Sequence, residues 1–352
     1  MSRDAALDRL RGIALVGMLL HHVTAWLTGT DARGVIPGWT GFVVTDVAAP
    51  AFFVAAGMSA SLLVASRRRR GMPAPRIAGQ VLRRYGLLVP LGVGLRWVLG
   101  WNTDGFGVLE ALGVTVLLAV AVAAILPTRL EPVAAVAFLA AGILVERALF
   151  DRTDWWSAEL LAGKFPLFTY VGFVLLGMAA VDSQRHRSRG WALVAVGVGA
   201  VAFVALLAAG HAPDRYPGDL KFVIPGLFGT AAAYAIAQRS WSKVAAPVDS
   251  MVRSAAAHTL GIFLAHYILF EVAERLGLGG PVSAPVAVTA AVVVTLVLCA
   301  VAPRVPQSPW SPRTGWRHPP AAPEPPPVAD RPVCVETPVA ERRGELVGAG
   351  TS

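Results

Sequence analysis

Residues 7 to 26, "LDRLRGIALVGMLLHHVTAW", carry two histidines inside what otherwise reads as a membrane-spanning helix. A bilayer crossing needs about 20 mostly apolar residues, and this run supplies them with Arg11 at its entrance. Ionisable side chains are costly in hydrocarbon, so by default they face the bundle interior and mark a functional site. The reading of His21 and His22 therefore bears on both the fold class and the chemistry.

The same kind of apolar run recurs along the chain, each copy bounded by charge or by Gly and Pro. About ten such segments are long enough to be weighed as crossings. They are Leu10 to Leu27, Phe42 to Ala65, Tyr85 to Leu99, Val108 to Leu126, Pro132 to Leu149, Lys164 to Val181, Trp191 to Ala209, Phe222 to Ala237, Thr259 to Glu274 and Ala284 to Ala302. Composition agrees: 55% of the 352 residues are hydrophobic and 15% charged, against roughly 25% charged in soluble domains. The expected fold is all-α, a polytopic membrane bundle of about ten transmembrane helices.

Lys and Arg are enriched in short cytoplasmic loops. With the N-terminus cytoplasmic, the inner loops before the tail hold 17 of them and the outer loops hold seven. Ten crossings with both termini inside account for that asymmetry, as for a multi-pass protein of the cell membrane. The net charge of +9 is spread over alternate membrane ends and forms no single patch, so it is read as topology and not as a nucleic-acid surface. The first run lacks a small-residue cleavage site, so it is expected to stay in the protein. Cys299 and Cys334 lie in the last span and in the tail, which points to neither a disulfide framework nor a thiolate metal site.

From Pro303 the composition turns to "PRVPQSPWSPRTGWRHPPAAPEPPPVADRP". Such a segment buries too little apolar surface to order itself. The expected organisation is a membrane domain over 1–302 and a proline-rich, disordered cytoplasmic tail over 303–352.

Helical geometry sorts the polar residues within the spans. Arg11 and His22 are eleven residues apart, three turns plus about 20°, so they share a face with Leu15 and Met18. His21 is turned about 100° away. In "GWTGFVVTDVAAPAFFVAAGMSAS" the residues Asp46, Pro50, Phe53 and Gly57 share one face. His22 lies about 18 Å along its helix, at or beyond the midplane. Asp46 near the outer end of the second span would orient its ring and favour its protonated form. In "HTLGIFLAHYILFE" Thr259 and His266 share a face, with His266 about 12 Å in. Arg96, Glu110 and Glu271 are further polar positions that would line a cavity opening outward. The run "SRRRRG" reads first as a topology signal and second as a site for an anionic ligand or lipid headgroup.

At these residues the chain resembles known families. "RGIALVGMLLHH" is similar to the Arg, ten residues, His pattern of the membrane acyltransferase-3 family, on Arg11 and His22. "GFVVTDVAAPAFFVAAGMS" and "FPLFTYVGFVLLGMAA" resemble helices of the heparan-alpha-glucosaminide N-acetyltransferase catalytic family, a related group of transmembrane acyltransferases. "TLGIFLAHY" looks like the acyltransferase-3 signature that ends in a histidine, here His266. The pieces span residues 7 to 267 in the families' order. One departure stands out: the heparan-type enzymes use a histidine just before the Trp that matches Trp39, and this chain has Ile36 there. His22 would take the corresponding role.

The resemblance implies acyl transfer, usually acetyl, from cytoplasmic acyl-CoA to a hydroxyl or amine of an envelope glycan, lipid or small molecule. A neutral imidazole with a pKa near 6.5 suits that reaction as base or as nucleophile. The catalytic candidates are His22, Asp46 and His266. Arg11 would meet the CoA phosphate or thioester end, with Arg67, Arg68, Arg83 and Arg84 on the nucleotide moiety, because guanidinium pairs bidentately with phosphate. No phosphate-binding Gly-rich loop and no metal-ligand spacing occur in the sequence. Two other readings stay open. One is a proton-coupled transporter or flippase with His22, Asp46 and His266 as relay; the other is a structural subunit that recruits a partner through its tail.

Overall fold

The fold is taken from a computed structural model that describes residues 5–29, 47–100, 107–149, 160–161, 163–186, 190–211, 219–239, 244, 246–278 and 281–304. Among them the secondary structure is entirely helical. The α-helices are α1 (Ala5–Thr28), α2 (Ala48–Arg69), α3 (Ala74–Val81), α4 (Leu88–Val98), α5 (Val108–Ile125), α6 (Glu131–Leu149), α7 (Leu167–His186), α8 (Gly190–Ala208), α9 (Leu220–Arg239), α10 (Ala246–Ala257), α11 (Thr259–Arg275) and α12 (Ala284–Val301). A π-helical segment, Leu82–Gly86, joins α3 to α4. Asp46 and the tail from residue 305 onward lie outside the described residues.

Every one of the ten apolar segments contains helix. Six helices are long and apolar enough to cross a bilayer, and a seventh candidate arises if the pair α10 and α11 counts as one broken span. The difference from ten has a physical basis in length. The 11 residues of α4 reach only about 16 Å, and the apolar parts of α7 and α8 are also short, Leu167–Val181 and Ala195–Ala208. Helix α10 was not among the ten segments. It meets α11 at an angle of 86° with His258 at the break.

Small residues let helix backbones approach where lipid offers no hydrophobic drive between them. Helices α2 and α7 cross in this way. A Cβ on Gly57 would run into the Val174 carbonyl, and one on Gly177 into the Val54 carbonyl. Phe53, Tyr170, Phe173 and Phe222 fill the space beside this crossing, with the Phe53 and Tyr170 rings 4.4 Å apart. Helix α1 meets α10 through Gly12, which faces the Val252 backbone. Arg9 on α1 seals the same contact, its Nε 3.1 Å from Asp249 Oδ1 on α10 and its Nη1 donating to the Ala237 carbonyl at the end of α9.

Helix α11 stops at Gly277, whose φ of 71° suits a left-handed cap. Gly277 N–H donates to the Glu274 carbonyl and Leu278 N–H to Ala273, which satisfies two of the helix's last acceptors.

Candidate active site

Helices α1 and α11 run side by side in the same direction. The His22 ring stacks on His266 with centroids 5.3 Å apart. One turn further along both helices, Trp26 stacks on Phe270 at 5.1 Å and an interplanar angle of 12°. A four-residue step on one helix thus matches a four-residue step on the other, the register of parallel neighbours. Helix α12 returns antiparallel beside them: Cys299 packs with Leu15 and Leu19 of α1, whereas Ala291 packs with Val23.

The seam is layered. Leu15, Leu19, Ala255, Ile262 and Cys299 form an aliphatic layer before the histidines. Val23, Phe270 and Ala291, with Trp26 and Tyr267 against them, form an aromatic layer beyond. Between the two, His22 Nδ1 lies 3.1 Å from His266 Nε2. The His266 side chain is fully buried. It is held edge-on by Phe263 at 5.2 Å and Phe270 at 5.4 Å, and Tyr267 packs 4.0 Å from its ring. The buried face of α11, made of Thr259, Ile262, Phe263, His266 and Phe270, is the one that the helical spacing of Thr259 and His266 indicated.

His21 lies beside this pair, its ring 5.4 Å from His22 and tilted by 55°. Arg11 is half-buried on α1, about 16 Å along the helix from His22, too far for its guanidinium to touch the ring. The face of Pro50, Phe53 and Gly57 packs into the α2, α7 and α9 core, with Pro50 against Gly226 and Phe53 against Tyr170, and not against the histidines. Arg96 and Glu110 pair with each other, and Glu271 pairs with Arg275 on its own helix at 2.7 Å.

Arg67 and Arg68 end α2, and Arg83 and Arg84 occupy the π-helical segment. Arg68, Arg83 and Arg84 are exposed. Their helical anchors Ile77, Val81 and Tyr85 belong to the α2 and α7 core, apart from the histidine seam. Among the described residues no three His, Cys, Asp or Glu side chains come together as metal ligands.

Sequence reading missed Tyr267 and the Arg9 to Asp249 contact. The signal for Tyr267 is its place directly after His266. Arg9 had none, because α10 has no long apolar run to announce it.

A sequence profile described as heparan-alpha-glucosaminide N-acetyltransferase, catalytic, matches residues 3–213. The matched span includes α1 with His22 and ends before α9, so His266 lies outside it. No curated protein matches the chain. The profile covers well over half of the 352 residues, carries the two helices whose resemblance was read from sequence, and falls on an all-helical, membrane-spanning bundle. The chain belongs to the heparan-alpha-glucosaminide N-acetyltransferase catalytic family and is, as such, a membrane acetyltransferase.

Proposed function

We propose that the protein transfers an acyl group, in the first instance acetyl, from cytoplasmic acyl-CoA to a hydroxyl or amine of an envelope glycan, lipid or small molecule, with His22 as the reacting imidazole. The observation that carries this reading is the 3.1 Å contact between His22 Nδ1 and His266 Nε2 in a seam closed by apolar layers on both sides.

Two neutral imidazoles at this distance share one proton donor and one acceptor. In this scheme neutral His266 carries its proton on Nδ1. His266 Nε2 then accepts from His22 Nδ1–H. That tautomer leaves the lone pair of His22 on Nε2, the arrangement in which a histidine held at Nδ1 works as a base. His266 is in this scheme a positioning residue.

The acceptor O–H or N–H gives its proton to His22 Nε2 as the oxygen or nitrogen bonds to the thioester carbonyl carbon. The carbon–sulfur bond breaks, and the CoA sulfur leaves with the proton returned by the imidazole. Arg11, with Arg67 and Arg68, offers guanidinium forks for the donor's phosphates. Asp46, proposed from sequence as a further participant, lies outside the described residues.

The test works whichever molecule the acceptor is. Envelope glycans and lipids from a strain lacking the gene are compared by mass spectrometry after complementation with the wild type or His22→Ala at equal membrane abundance. An acyl-sized mass increment restored by the wild type alone supports the reading. Equal restoration by both removes His22 from the chemistry.

A further inference from the structure

The arginines of the π-helical segment stand on the outside of the bundle. Ile77, Val81 and Tyr85, at spacings of four, anchor α3 and the π turn in the core. The opposite side presents Arg83 and Arg84, both exposed, and continues into Leu87 and Leu91, which are 50% and 37% exposed. Leu87 follows Arg83 and Arg84 directly at the end of the π turn, and Leu91 lies one α-helical turn beyond Leu87. Two guanidinium groups therefore sit at the head of an apolar stripe about 12 Å long. The Arg84 guanidinium lies 5.7 Å from the Tyr85 ring centroid, which holds it close to the helix.

A phosphate ester with no compensating positive charge, attached to hydrocarbon chains, matches both ends of this surface. Guanidinium forks take phosphate oxygens bidentately. The leucines lie where acyl chains run. We infer that Arg83 and Arg84, with Leu87 and Leu91 beneath them, form a binding site for one anionic phospholipid. The Lys and Arg distribution places the site in the cytoplasmic leaflet. This takes the pair away from the donor's nucleotide, whose phosphates share the same chemistry, because the exposed leucines commit the surface to lipid.

The full-length protein, purified in detergent and offered equimolar phosphatidylglycerol and phosphatidylcholine, reports the preference by native mass spectrometry. CoA affinity of the same preparations is measured by calorimetry. At the usual strength of arginine near an anionic headgroup, two side chains give the wild type about thirtyfold preference for phosphatidylglycerol. Arg129→Gln, at an exposed arginine on another loop, is expected to keep that preference. Arg83→Gln with Arg84→Gln is expected to bring it close to one while CoA affinity is unchanged. The milder pair Arg83→Lys with Arg84→Lys keeps the charge without the fork and is expected to fall between. An undiminished preference in the glutamine pair overturns the site. A fall in its CoA affinity assigns the arginines to the donor and overturns it equally.

Discussion

Arg96 grips Glu110 across the hairpin of α4 and α5, with Nε at 2.9 Å and Nη2 at 2.8 Å from the same carboxylate oxygen, Oε1. Glu110 is almost fully buried, and Gly92 and Gly107 leave the room its carboxylate needs. Gly92 is the buried residue of α4, so this ion pair is a main tie between α4 and its neighbour. Removing one member of a buried pair strands the other charge, at about 3 to 5 kcal/mol, whereas removing both strands nothing. Arg96→Leu is expected to lower stability in detergent unfolding by about 3 kcal/mol, and Arg96→Leu with Glu110→Leu by clearly less. Simple additivity of the single losses would show that the contact carries no coupling.

The two histidines separate by substitution. His22→Ala is expected to remove general-base assistance, about 10² to 10⁴ in kcat. His266→Gln retains a side-chain oxygen that accepts from His22 Nδ1–H, and so keeps part of the rate. His266→Leu loses the acceptor and falls towards the His22→Ala level. Nitrogen-15 NMR of histidine-labelled protein reads the tautomer directly. Selective loss of the Nδ1–H form of His22 in His266→Leu, and its return in His266→Gln, is the signature of positioning. Equal activity of the leucine and glutamine variants would reduce His266 to packing.

The stacked Trp26 and Phe270 rings close the aromatic layer one turn beyond His22 and His266. Excluding water from such a site prevents hydrolysis of the reactive acyl group. Trp26→Ala is expected to raise CoA release in the absence of acceptor severalfold while transfer falls. CoA release unchanged by the substitution would mean that water is excluded elsewhere.

At the crossing of α2 and α7, Gly57→Val places a side chain against the Val174 carbonyl, a backbone atom with nowhere to retreat. Overpacking of this kind costs about 1 to 3 kcal/mol. The monodisperse fraction extracted from membranes is expected to fall. Gly94→Ala in α4 meets nothing within 4 Å and serves as the neutral comparison.

Much of this was legible in the sequence because hydrocarbon imposes a simple demand: long apolar runs become helices, and a polar residue inside one needs a reason. That logic led to α1, to His22 and to His266. Helical spacing also showed which residues share a face, as Thr259 and His266 do. It does not say which helix a face meets. The face of Pro50, Phe53 and Gly57 was identified and then found against α7 and α9, since small residues and aromatics pack equally well beside any complementary neighbour. Helix α10 escaped notice because Asp249, Ser250, Arg253 and Ser254 interrupt its apolar residues. The bend of 86° at His258 falls where α10, packed against α1 through Gly12 and Arg9, ends.

The two imidazoles that meet in the seam are separated by 244 residues of chain. His22 lies on α1, and His266 lies on α11, ten α-helices later among the described residues. A nascent or prematurely ended chain therefore carries an incomplete pair. If the proposed pairing carries the chemistry, a chain that stops before α11 is expected to show no transfer.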